Sequence, residues 1–216
     1  GLPVMALNVN NVDVNFYRVK PESLASFVSQ WEYRNSLTNW ESDNLLKMAE
    51  LVYTGRFDLN PERNTREKLL LPLKDIKPLQ QSGVYIAVMN QAGHYNYSNA
   101  ATLFTLSDIG LSAHRYHNRL DIFTQSLENG AAQSGVTITL LNDKGQTLAE
   151  ANSDADGHAK LETDKEAALI LASKDGQTTL LDLKLPALDL AEFDIAGNPG
   201  YSKQFFMFGP RDLYRP

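Results

Sequence analysis

At 216 residues, with 43% hydrophobic and 21% charged side chains, the chain has room for one large domain or two of about 100 residues, each able to bury its own core. A net charge of −6 opposes nucleic-acid binding, and no run of ~18 apolar residues is present to span a bilayer as a helix. The absence of cysteine removes disulfides, thiol nucleophiles and thiolate metal sites together, while leaving the compartment open.

The chain starts at Gly1 rather than Met and stops at Leu213-Tyr214-Arg215-Pro216, so both ends read as cuts in a longer polypeptide, with any export signal upstream. Val12–Val19 places Val12, Val14 and Phe16 on one face at period two and predicts a strand. Pro21 then opens a helix in which Leu24, Phe27, Val28 and Trp31 recur at i, i+3, i+4 and i+7. That stripe is expected to lid its own sandwich rather than to bind a partner. Ser36–Asn44 is polar, with Trp40 alone inside it. From Lys47 the pattern is extended: Leu51, Tyr53, Phe57 and Leu59 point one way, and Val52, Thr54, Arg56 and Asp58 the other. A helix over Leu45–Val52 competes, because Leu45, Met48 and Val52 also fit a helical period.

Asn60–Lys68 reads as a charged, solvated loop. Leu69, Leu71 and Leu73 alternate again, and Pro72 confines that run to an edge strand. Val84–Met89 is apolar on both faces and predicts a central strand, with a turn at Asn90–Gly93 and a return over Ala100–Leu106. Only Ser107, Asp108, Ile109 and Gly110 then separate Leu103–Leu106 from the next run, Leu111–Thr124. So short a gap predicts a stiff joint between two sandwiches, with Gly110 setting its angle.

Beyond the joint the periodicity is purely β. Leu111–Tyr116 and Leu120–Leu127 read as strands joined at His117-Asn118. Val136, Ile138 and Leu140 alternate with Thr137, Thr139 and Leu141, followed by a hairpin turn at Asn142–Gly145 and a return over Thr147–Ala151. Ser153–Gly157 is a second turn before His158–Leu161, and Ala167–Ala172 pairs with Thr178–Leu183 across Ser173–Gly176. Leu188–Gly200 is irregular and acidic, and Gln204–Phe208 reads as a last strand. The fold expected is all-β: two tandem antiparallel immunoglobulin-like β-sandwiches, the first with a short helical insertion. Their bounds are 1–107 and 108–209, with 210–216 opening a further domain.

The chain offers little reactive chemistry. His114 and His117 lie three apart, which on a strand turns them to opposite faces, so with His94 and His158 they read as solvated residues rather than metal ligands. Asp154-Ala155-Asp156-Gly157 begins like a calcium loop, but the twelfth position is Lys165 where a Glu is needed. The aspartates are expected to bond the turn's own backbone, with Gly157 supplying positive φ. Asn96-Tyr97-Ser98 matches a glycosylation acceptor, a pattern short enough to arise by chance. No phosphate loop, nucleophile elbow or zinc helix motif is present. Catalytic, cofactor-binding and metal residues are therefore expected to number none. A carbohydrate-binding or adhesive module of a cell-envelope protein is the alternative reading, with Trp40, Tyr95, Tyr97 and Tyr116 as its candidate aromatics.

The second half resembles a macroglobulin domain of the bacterial alpha-2-macroglobulins. The resemblance rests on Asp108-Ile109-Gly110-Leu111, Phe123-Thr124, Leu127, Asn129-Gly130, the hairpin around Asp143–Gly145, and Ser153–Gly157. In the first half, the strand VDVNFYRV, the helix and Ser82–Asn90 resemble the sandwich that precedes it in enterobacterial members, and Tyr214-Arg215-Pro216 resembles the opening of the next. The resemblance implies a large periplasmic protease trap, held at the inner membrane by a lipidated cysteine upstream. In such traps a protease cuts a bait region and is captured by a thioester. These residues would carry none of that apparatus. Their implied partners are other domains of their own chain and, through the whole protein, proteases.

Overall fold

The computed structural model describes residues 1–31, 35–94, 96–116, 118–162 and 167–184. In chain order the elements are β1 (Leu2–Ala6), β2 (Asn11–Val19), α1 (Leu24–Trp31), β3 (Ser36–Thr38), α2 (Asn39–Leu45), β4 (Ala49–Asp58), β5 (Glu67–Leu71), β6 (Gly83–Gln91) and β7 (Ser98–Leu106). After the joint come β8 (Ile109–Arg115), β9 (Arg119–Ser126), β10 (Thr137–Leu141), β11 (Thr147–Asn152), β12 (His158–Glu162), β13 (Leu169–Lys174) and β14 (Gln177–Asp182).

In the first unit a five-stranded sheet runs β3-β7-β6-β2-β4, antiparallel throughout. β6 sits at its centre because Val84, Ile86 and Val88 face one side and Tyr85 and Ala87 the other, all buried. The second side packs Val12, Val14, Phe16, Tyr85 and Ala87 against the β1-β5 ribbon, where Leu2 and Leu71 close the core. β5 stops just before Pro72 and pairs only with β1, as an edge strand must.

Two expectations in this unit need correction. The alternation from Lys47 is broken by a bulge in the β2–β4 pairing: Phe16 faces Tyr53 but Tyr17 faces Leu51. Val52 therefore joins Tyr53 and Phe57 at the core, while Leu51 is 53% exposed. The polar stretch Ser36–Asn44 holds β3 and most of α2. Thr38 and Glu41 form a reciprocal capping box that starts α2, and the competing helix over Leu45–Val52 is realised only to Met48, as the end of α2 and a 3-10 turn over Leu46–Met48, before Ala49–Asp58 runs as strand.

Among the described residues the second unit is a sandwich of seven strands. Sheet β11-β10-β13-β14 faces sheet β12-β9-β8. Ile109, Leu120, Ile122, Val136, Ile138, Leu140, Leu161 and Ile170 fill the space between them. The Asn142 side chain accepts the N–H groups of Lys144 and Gln146 and so builds the β10–β11 turn. The expected strand over Gln204–Phe208, the irregular stretch Leu188–Gly200 and the domain start at 210–216 lie outside the described residues.

Candidate functional site at the joint between the sandwiches

The described histidines do not converge. His114 is exposed near the end of β8, its ring edge-on to Phe123 at 5.7 Å. His158 is not simply solvated: it stacks on Phe123 at 4.9 Å, and its Nε2 lies 3.1 Å from Asp121 Oδ1. Partial burial pushes the Asp121 carboxyl up, but the hydrogen bond from His158 and the charge of Arg119 outweigh it and hold the group below the usual carboxylate range. His117 and Tyr95 lie outside the described residues. Asp154 Oδ1 accepts the N–H groups of Asp156 and His158 at 3.0 and 2.9 Å, so this carboxylate serves its own turn. Among the described residues no three His, Asp or Glu side chains gather as a metal set. Tyr116 lies under the Arg119 guanidinium, 4.5 Å from it.

The chain's designed feature is instead the joint. β7 ends at Leu106 and β8 begins at Ile109, so only Ser107 and Asp108 intervene. The Asp108 carboxylate accepts Ser126 Oγ–H at 3.0 Å, the Glu128 N–H at 2.8 Å and Gln133 Nε2–H at 3.0 Å. Its carbonyl accepts the Leu127 N–H at 2.8 Å. The hydrogen bond from Ser126, followed by that from the Glu128 backbone, holds the carboxyl below its ordinary range. From the other sheet, Gln177 Oε1 accepts the Asp108 N–H at 2.7 Å and Ser107 Oγ–H at 3.4 Å. Asp108 is thus tied to both sheets of the second sandwich at the first residue it contributes.

Gly110 plays a different part from the one expected. It lies within β8, and a Cβ there would meet Leu127 Cδ2 at 2.7 Å and Gln125 Cγ at 3.2 Å. The position makes room for Leu127 to lie over the strand; the angle is set elsewhere.

It is set by a shared core. The stripe Leu24, Phe27, Val28 and Trp31 does lid its own sheet, over Val84, Ile86, Val88 and Ala101. The same cluster includes Leu141 and Leu169 of the second sandwich, buried, with Leu171 and Leu180 partly buried. These leucines occupy the outer face of sheet β11-β10-β13-β14, a face that is polar at Thr137 and Thr139. Burial of Leu141 and of Leu169 stabilises the pair by about 1.5–3 kcal/mol each relative to leaving them in water. The hairpin tip completes the contact: Gly145, at φ +74°, sits so close that a Cβ would stand 2.8 Å from the Ala25 carbonyl oxygen. A cavity of about 290 Å³ remains between Ala25, Val28 and Ser29 of α1, the hairpin tip, and Leu169 and Lys184. Helix α1 is therefore a wedge between two sandwiches, packed on both sides.

Sequence reasoning identified the wedge's inner contacts but missed its outer ones. The signal was present: Leu141, Leu169, Leu171 and Leu180 are apolar at positions where a solvated face alternates to polar.

Residues 1–104 match the model of the bacterial alpha-2 macroglobulin MG2 domain, and residues 106–200 that of the bacterial alpha-2-macroglobulin MG3 domain. The chain is 84% identical over 216 residues to an alpha-2-macroglobulin of Escherichia coli (strain K12), covering all of this chain and 13% of that protein. It is 34% identical over 224 aligned residues to the alpha-2-macroglobulin of Xylella fastidiosa (strain Temecula1), covering 14% of it. Among solved structures, native E. coli alpha-2-macroglobulin spanning domains NIE-MG1 is 82% identical with a TM-score of 0.78, over 86% of this chain and 89% of that one. The trypsin-activated E. coli protein is 83% identical with a TM-score of 0.71, over 100% of this chain and 15% of that one. The two units are thus tandem macroglobulin domains. The chain belongs to the bacterial alpha-2-macroglobulin family, and it spans 13–14% of the length of the curated relatives it matches.

Proposed function

We propose that this chain is a non-catalytic scaffold segment of a protease-trapping alpha-2-macroglobulin, dividing into domains at 107/108. The observation that carries the reading is the 84% identity along the whole chain to the E. coli protein, a protein that also has a structure described as trypsin activated. The wedge at the joint supports a mechanical role: a segment with two residues between sandwiches and a core shared across them holds its neighbours at a set angle. In this reading the full protein acts in the periplasm, anchored to the inner membrane by a lipid upstream. Its partners are its own further domains and the proteases it captures.

The test compares the full-length protein with residues 1–216 alone, each mixed with trypsin and assayed on a large protein substrate. The full-length protein should shield the substrate and the segment alone should leave cleavage unchanged. Inhibition by the segment alone would contradict a scaffold role, and failure of the full-length protein would contradict the trap.

A further inference from the structure

Trp40 and Tyr97 are 74% and 76% exposed, the most exposed large apolar side chains among the described residues. The backbone segments that carry them are bonded side by side rather than left loose. The Thr38 N–H donates to Glu41 Oε2 at 2.9 Å and the Glu41 N–H to Thr38 Oγ1 at 3.3 Å, which fixes the start of α2. The Asn39 N–H donates to the Tyr97 carbonyl at 3.3 Å, and Asn99 Nδ2–H to Asn39 Oδ1 at 3.2 Å. Beneath them Leu37 is fully buried, so the backbone that carries Trp40 is anchored in the core. By contrast, Phe123, the exposed aromatic of the second sandwich's outer face, is already stacked by His158 and met edge-on by His114.

Tryptophan and tyrosine on a preset backbone, flanked by Asn and Ser, have the composition of a protein-binding hot spot. The described strands of the second sandwich sit at the other end of β7 from this patch. β7 runs from Ser98 beside the patch to Leu106 at the joint, so the two ends lie about 27 Å apart at the rise of an extended chain. Asp43, three residues after Trp40 on α2, is exposed, so the matching surface is apolar with a basic rim. The length of the family's polypeptide supplies an occupant: this chain covers 13% of its E. coli relative, and most of such a protein lies outside these two sandwiches.

We propose that Trp40 and Tyr97 form a knuckle by which the first sandwich docks into an apolar, basic-rimmed pocket on another domain of the full-length polypeptide. The inference rests on the scaffold reading and names its contact surface. Hydroxyl-radical footprinting tests it, comparing the full-length protein with residues 1–216, a span 86% of which is covered by an E. coli counterpart solved as a separate chain. Oxidation of Trp40 and Tyr97 should be at least about fivefold slower in the full-length protein, with buried Trp31 slow in both. Trp40→Ala with Tyr97→Ala in the full-length protein should raise labelling of a peptide outside residues 1–216. Equal rates in the two proteins would overturn the inference. So would protection of the isolated segment that grows with its concentration, which marks a second copy, or that follows addition of glycan fragments, which marks a saccharide site. Because footprinting does not read trypsin capture, failure of the knuckle and failure of the trap are separable.

Discussion

Leu169→Ala probes the shared core directly. Leu169 belongs to the second sandwich, as the first residue of β13 opposite Leu141, yet it is buried in the cluster built on α1 of the first. Removing a buried leucine side chain costs its transfer free energy plus the cavity left behind, about 2–5 kcal/mol. The cavity of about 290 Å³ already beside Leu169 gives the neighbours slack to relax, which places this change toward the lower half of that range, about 2–3 kcal/mol. Trp31, 1% exposed and stacked on Phe27 at 6.2 Å, reports from the first sandwich, while Trp40 sits in water. In a urea titration followed by tryptophan fluorescence, with a slope of about 2–3 kcal/mol per molar, the Trp31 transition should move down by roughly 1 M. Far-UV circular dichroism, which reads both units, should move with it. If the dichroism shifts while the Trp31 transition stays where it was, the sandwiches unfold independently and the shared-core reasoning is wrong.

Three further outcomes follow from the geometry. Gly145→Ala and Gly176→Ala both place a side chain at positive φ, about 1 kcal/mol each, but only at Gly145 does the new Cβ meet the Ala25 carbonyl. Thermal melts should therefore show Gly145→Ala as the more destabilising by at least about 1 kcal/mol; equal costs would mean the hairpin tip does not bear on α1. The Asp108 carboxyl is depressed in the folded chain, so its contribution is present above the unfolded value of about 4 and is lost as pH falls through the folded value. Asp108→Asn should accordingly lower stability at pH 6, and the gap to the parent should narrow toward pH 2.5; a gap that stays constant would exclude the carboxylate clamp. Thr38→Ala removes the hydroxyl of the capping box and should cost about 1 kcal/mol, seen as faster amide exchange over residues 39–45 with the rest of the chain unchanged.

How much of this could be read from the residues depended on whether a contact leaves a period. β2, the stripe of α1 and the doubly apolar β6 were legible because each buries a face whose spacing follows from its own geometry. The family resemblance lay in turn residues, Asp143–Gly145 and Ser153–Gly157, and in Asp108. Asp108 turns out to be the clamp of the joint, a role that spacing does not encode because Ser126 and Gln177 approach it from two strands and Gln133 from the β9–β10 connection, all remote in sequence. The bulge at Val52 was hidden because one extra residue merely shifts an alternation. β1 left no trace because its five residues pair only with β5. α2 carried a Thr-x-x-Glu signature but is too short to show an apolar stripe. Gly110 was assigned to the joint's angle because glycine suggests flexibility, when its missing side chain serves the approach of Leu127.

The central claim is that α1 locks the two sandwiches at one angle. The absence of native cysteine allows Glu50→Cys on β4 and Lys160→Cys on β12, both exposed, to carry one spin label in each unit. A double electron–electron resonance measurement on this doubly labelled chain should give a single narrow distance distribution, unchanged by viscosity or salt. A broad or multimodal distribution would show two units moving about a loose joint, and would contradict the account.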